Sequence, residues 1–232
     1  MPINRSVAHV RIRSGSRSGT LDSVDLMTAN DPRAAAADAA RRVIRSLVAS
    51  DLPDAEAVLI AAELDRIARK LEPFNRESRY DDPEVIAALP FERSEHKVEL
   101  HEDDELFRTH PLVGRWHPIA PPLELTETGE EPVAVVSYDT SYEGFPGIVH
   151  GGFIALAFDF ITVLAAFAGG YRGVTGSLQV KYRKPIPLHV PLAYRAWIDK
   201  TSGRAAVVHA ELTGPAGRYA QAETLVVGGR VA

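Results

Sequence analysis

The 232-residue sequence contains no cysteine, which excludes disulfides, thiolate-ligated zinc and a cysteine nucleophile. It carries no excess of positive charge. With a net charge of −5 and an isoelectric point near 5.9, neither nucleic acid nor an anionic membrane surface is an expected partner. No G-x-S-x-G segment is present, against a serine hydrolase of the nucleophile-elbow type. The basic N-terminus lacks the apolar stretch of a secretory signal. Residues 1–21 hold four arginines, four serines and no acid, a composition that organelle transit peptides share. The alternation in VAHVRIR and the flexible SGSRSG nevertheless give no amphipathic helix there. A cytoplasmic location is the expectation, with organelle targeting by this arm as the alternative.

At 45% apolar and 25% charged residues, the composition is that of a globular chain. Two compositions meet near residue 90, which divides the chain into an N-terminal arm with a helical extension over 1–95 and a second unit over 96–232. In the extension, Asp31-Pro32 reads as an N-cap with proline at the first helical position, followed by an apolar stripe at Val43, Ile44, Leu47 and Val48. A second helix is expected from about Pro53, with Ile60, Leu64, Ile67 and Leu71 at helical spacing and a stop before Pro73. Asp82-Pro83 repeats the start signal for a short third helix. The cluster SEHKVELHEDDEL holds the metal-competent His96, His101 and Asp103, with His110 and His117 nearby, but its spacing matches no zinc or calcium pattern. It reads as a solvated charged surface, and neither metal nor cofactor is expected.

From about residue 112 the period becomes that of strands. PPLELTE and EPVAVVSYD read as two strands joined by a turn at Thr128-Gly129. Further on, Leu178, Val180 and Tyr182 alternate with Gln179, Lys181 and Arg183. PLAYRAWID, RAAVVHAEL and RYAQAETLVV follow, separated by the hairpin-type turns KTSG and GPAG. The β region is interrupted once, by GIVHGGFIALAFDFITVLAAFAGG. Its segment Phe153 to Ala168 is 16 residues long, short of the roughly 20 that span a bilayer, and it carries Asp159 at its middle. It reads as an enclosed core helix with a sheet wrapped around it.

His150, Gly151 and Gly152 open this helix, where unpaired N–H groups and the helix dipole favour developing negative charge. Asp159, buried without a partner, would cost several kcal/mol, so it calls for a partner or a function. Nine residues at about 100° each place it about two and a half turns and roughly 13 Å beyond His150, on the opposite side of the helix. Two chains in an antiparallel pairing bring the two positions together more readily than one chain does.

The segment EGFPGIVHGGFIALAFD, with Thr175 sixteen residues after Asp159 and VKYRKPIPL following, resembles the hotdog-fold acyl-CoA thioesterases, in particular the PaaI and THEM branches. The similarity covers about residues 112 to 229. It implies an α+β hotdog fold, a long central helix wrapped by an antiparallel sheet, paired as a homodimer or a dimer of dimers with active sites at the interface. It further implies that the Gly151 N–H holds the thioester carbonyl, that Asp159 of the opposite subunit attacks or activates water, and that Thr175 orients that water or carboxylate. His150 belongs to the same motif. Other branches place Asn or Gln where this chain has Gly144. The implied substrate is an acyl-CoA, with Gly152 and Phe153 beside the carbonyl and Lys181, Arg183 and Lys184 as candidates for the CoA phosphates. Phe153, Ala157, Phe158 and Phe160 are candidates for lining the acyl tunnel. A non-catalytic acyl-CoA sensor is the alternative. A hotdog dehydratase is less favoured, since no D-x-N-x-x-H segment occurs and His189 and His209 read as structural or exposed.

Overall fold

The computed structural model describes residues 31–76, 105–126 and 133–230. The expected third helix, most of the charged cluster and the turn at Thr128-Gly129 lie outside them. Helix α1 (Pro32–Ala49) starts where the Asp31-Pro32 signal places it, and the Asp31 carboxylate accepts the Ala34 N–H at 3.1 Å. Helix α2 (Asp54–Leu71) follows, closed by a 3₁₀ turn over Glu72–Phe74 that contains Pro73. A short helix α3 (Glu105–Arg108) precedes the sheet.

The sheet has six strands in the order β1-β2-β6-β7-β8-β5, every neighbouring pair antiparallel. These are β1 (Glu124–Thr126), β2 (Val133–Val136), β5 (Tyr171–Tyr182), β6 (Leu192–Ser202), β7 (Ala205–Gly214) and β8 (Gly217–Arg230). Two short strands, β3 (Glu143–Phe145) and β4 (Ile148–Val149), form a separate hairpin around Pro146-Gly147. Gly147 adopts φ 75° there, the left-handed conformation that a Pro-Gly turn requires. Strand β5 begins at Tyr171, seven residues before the alternation at Leu178 becomes visible.

Helix α4 (Gly151–Ala168) lies against the inner face of the sheet. Leu192, Tyr194 and Ala196 of β6, Ala206, Val208, Ala210 and Leu212 of β7, and Ala220, Ala222 and Val226 of β8 are all buried at the two-residue period of one sheet face. Half of these residues are alanines, and their small side chains let α4 settle close to the sheet. The helix answers with Ile154, Ala157, Phe158 and Ile161, all fully enclosed. At its end the chain passes close to β6: a Cβ on Gly169 would sit 2.1 Å from Ile198 Cδ1, so that side chain would have to turn aside. By length and composition α4 could cross a membrane, being 18 residues with mean hydropathy 2.0. Its fit against the sheet, rather than the shorter length expected from the sequence, makes it the core helix.

Of the apolar positions expected to pack the N-terminal helices, Ile44, Ile60 and Leu64 are half-buried and the others are exposed. Helix α1 is held by buried Ala34 and Ala37 and by Arg41, which donates to the carbonyls of Gly114 (3.1 Å), Arg115 (3.1 Å) and His117 (2.9 Å). Trp116 Nε1 donates to Asp31, a bond that holds the Asp31 carboxyl below its ordinary range. Arg45 pairs with Asp139 at 2.9 Å. Val43, Leu47 and Val48 stay exposed, and α2 has no buried residue at all.

Candidate active site at the start of the core helix

The chain enters α4 through a fixed sequence of backbone bonds. The N–H of Val149 donates to the Ile186 carbonyl and that of His150 to the Tyr142 carbonyl, both at 2.8 Å. His150 is the N-cap: its Nδ1 accepts the Gly152 N–H at 3.0 Å, which puts the ring proton on Nε2. The Phe153 N–H turns back to the His150 carbonyl at 3.1 Å. Of the first three helical donors, only the Gly151 N–H has no acceptor among the described residues.

A second clamp comes from the sheet. The Tyr182 hydroxyl donates to the Gly151 carbonyl at 2.6 Å. The peptide between Gly151 and Gly152 is therefore held at both ends, its oxygen by Tyr182 and its N–H by His150. Burial raises the Tyr182 hydroxyl above its ordinary range, so it remains a donor. Three glycines give the arrangement its room. A Cβ on Gly151 would lie 3.2 Å from the Tyr182 ring, one on Gly152 would lie 3.0 Å from His150 Nδ1, and one on Gly144 would come within 2.8 Å of His150 Cα. At Gly144 the body of His150 thus occupies the space a side chain would need.

An open cleft of about 690 Å³ adjoins this turn, lined by Ile148, His150, Gly151, Tyr182, Arg183 and Lys184 among others. Lys181 is absent from its wall. It is the strand neighbour of Tyr182 and so projects from the opposite, outer face of β5. Both cations line the cleft, and Arg183 Nη2 donates to Gln221 at 3.2 Å and the Lys184 ammonium to the Ala216 carbonyl.

Asp159 and Thr175 do not line the cleft. Asp159 is half-buried, and among the described residues nothing donates to its carboxylate. It shares a helix face with Gly152, Leu156 and Val163, which lie seven and three residues before it and four after it; Leu156 is 41% exposed. On this face Gly152 and Leu156 are exposed, Asp159 is half-buried and Val163 packs against the core. Thr175 sits beside a β-bulge in the β5–β8 pairing. Its hydroxyl is buried without a hydrogen-bond partner among the described residues. Of the tunnel candidates, Ala157 and Phe158 turn into the sheet, Phe153 packs edge-on to Tyr142 at 5.0 Å, and Phe160 packs on Phe107 and His110. The Tyr182 clamp was not foreseen from sequence. Its inward position in the β5 alternation was visible, but nothing in the spacing identified Gly151 as its target.

Residues 146–220, from the hairpin turn through α4 to β8, match the model of the thioesterase superfamily. Over this segment the chain is similar to that superfamily. Acyl-coenzyme A thioesterase THEM4 of Rattus norvegicus is 39% identical over 62 residues, 27% of this chain and 26% of that protein, and the Mus musculus protein matches to the same extent. The match therefore spans about a quarter of these relatives' length. A crystal structure of a thioesterase superfamily protein, 28% identical, superposes with a TM-score of 0.68 over 84% of this chain and 94% of its own. That share exceeds what residues 96–232 alone supply, so the superfamily likeness reaches into the N-terminal extension.

Proposed function

We propose that this protein is an acyl-CoA thioesterase whose active sites are completed by pairing of two chains. The observation that carries the reading is the first turn of α4. One N–H there has no acceptor among the described residues, its neighbouring peptide is held at both ends, and Arg183 and Lys184 line the adjoining cleft. The Gly151 N–H polarises the thioester carbonyl, aided by the positive end of the helix dipole. Asp159 of the partner subunit takes a proton from water as the water oxygen bonds to the carbonyl carbon. The tetrahedral intermediate collapses with cleavage of the C–S bond, and the proton passes to the departing sulfur. The leaving thiol has a pKa of only about 8.5, so no stronger acid is required. The same geometry admits direct attack by the carboxylate, followed by hydrolysis of the anhydride. The orphaned Thr175 hydroxyl supports a role in orienting the water or the carboxylate.

The pairing is supported by what one chain leaves unfilled. Strand β5 is a 12-residue sheet edge, and long bare edges are templates for pairing. Joining two copies through β5 turns two six-stranded sheets into one and brings together the α4 faces that carry Asp159. Asp159→Asn keeps shape and removes the base, and is expected to lower thiol release from acyl-CoA by about 10² or more. A panel of short, long and aromatic acyl-CoAs assayed for free thiol tests this. Equal activity in both proteins would overturn the assignment. Binding without hydrolysis by either would make the protein a sensor.

A further inference from the structure

We infer that Thr224 is a positioning residue for the reaction: with Thr175 it holds one water molecule on the inner face of the sheet, and that water aims the Thr175 hydroxyl. The inference rests on the thioesterase reading and adds to it a residue of β8 that lies beyond the segment matched to the superfamily.

Two threonines, Thr162 on α4 and Thr224 on β8, are 0% exposed. Thr162 is satisfied within its own helix, where its hydroxyl meets the carbonyls of Phe158 at 2.8 Å and Asp159 at 3.1 Å. The Thr224 hydroxyl has no partner among the described residues, and the buried hydroxyl of Thr175 has none either. A buried hydroxyl left unmade costs the desolvation of the group, and valine would fill the same space without that cost.

Strand register brings these two hydroxyls together. Thr175 pairs with Val226, and Thr224 stands two positions from Val226 on β8, so both side chains point to the same inner face. Diagonal neighbours of this kind are about 7–8 Å apart at Cα, a span that short hydroxyl side chains leave to a bridging water. Leu178 and Val208 face Thr224 across the strands, and Ala222 and Val226 flank it on β8; Thr175 is the polar side chain beside it. The bulge in the β5–β8 pairing falls directly after Thr175, and bulges beside active sites re-aim a side chain. Thr224 donates to the water, the water donates to Thr175 Oγ1, and the Thr175 proton is left to point at the carboxylate or the attacking water.

Thr224→Val keeps the shape and removes the hydroxyl, whereas Thr224→Ser keeps the hydroxyl and gives up a methyl group. In thiol release from acyl-CoA, Thr224→Val is expected to lower kcat about five- to tenfold with KM nearly unchanged. Thr224→Ser should retain most of the wild-type rate, although it packs less well. Adding Thr224→Val to Thr175→Val should slow the reaction no further, because the one residue acts through the other. An unchanged kcat, a raised KM at constant kcat, equal losses in the valine and serine variants, or losses that multiply in the double variant would each overturn the proposal. Crystal structures give a readout apart from activity: wild type should show a water within hydrogen-bond distance of both hydroxyls, and Thr224→Val should lose it. Absence of that water from wild type would also overturn the proposal. A wild-type protein that releases no thiol from any acyl-CoA would instead reject the thioesterase reading, and this role with it.

Discussion

At the scale of single residues, the site depends on one peptide group held from two sides. Loss of the Tyr182 hydroxyl frees the Gly151 carbonyl while leaving the ring packed on Gly151. A single neutral hydrogen bond is worth about 0.5–1.5 kcal/mol net, so Tyr182→Phe is expected to lower kcat about three- to tenfold with KM nearly unchanged. A changed KM at constant kcat would instead make Tyr182 a substrate contact. The cations lining the cleft predict the opposite split. Replacing Arg183 and Lys184 together with alanine should raise KM for acyl-CoA, leave kcat nearly intact and flatten the dependence of KM on salt, since phosphate contacts remote from the carbonyl act as uniform binding. An unchanged KM would move the phosphate site elsewhere. Lys181, on the outer face of β5, should be silent in the same assay.

At the scale of elements, the pairing of α4 with the sheet rests on residues that alternate or repeat faithfully, and there the sequence is legible. The buried sets on β6, β7 and β8 follow the two-residue period, and the Asp31-Pro32 and Pro73 signals bound the helices to within two residues. Legibility fails where close approach rather than period decides. The start of β5 is hidden because Arg172, Gly173, Val174 and Gly176 do not alternate, and the bulge beside Thr175 shifts the register. The face that α1 buries runs through Ala34, Ala37, Arg41 and Ile44, while Val43, Leu47 and Val48 of its aliphatic stripe stay exposed, because much of its anchorage is polar. The crowding at Gly144 is visible only once His150 is placed. The core also carries a pH signature. The Tyr138 and Tyr194 hydroxyls lie 3.0 Å apart; burial raises both, and pushes Tyr142 up to about 12. Unfolded tyrosine ionises near pH 10. Above that value the unfolded chain releases protons that the folded one retains, so stability is full below about pH 10 and declines as pH rises beyond it. Thermal unfolding between pH 8 and 12 should show this, with a shallower alkaline decline in Tyr194→Phe. An identical slope would mean that these hydroxyls do not govern it.

At the scale of the whole molecule, the central claim is that each site takes Gly151 from one chain and Asp159 from the other. The two lie eight residues apart on one rigid helix, about 12 Å along its axis, while Gly152 and Leu156 beside the carboxylate are exposed and β5 is a sheet edge. Complementation between two inactive variants tests the claim most directly. Gly151→Pro removes the N–H at the first helical position, where proline is tolerated, and its Cβ, 3.2 Å from the Tyr182 ring, needs that ring to shift by a few tenths of an ångström. Asp159→Asn removes the carboxylate. Each homodimer should be nearly inactive, with its fold checked by circular dichroism. Unfolded together and refolded in equal amounts, about half of the dimers should be mixed, each with one intact and one doubly broken site, and roughly a quarter of wild-type thiol release should return. If both groups served a site within one chain, every site in the mixture would lack a component. No recovery of activity, with mixed dimers demonstrated by native mass spectrometry, would contradict the account.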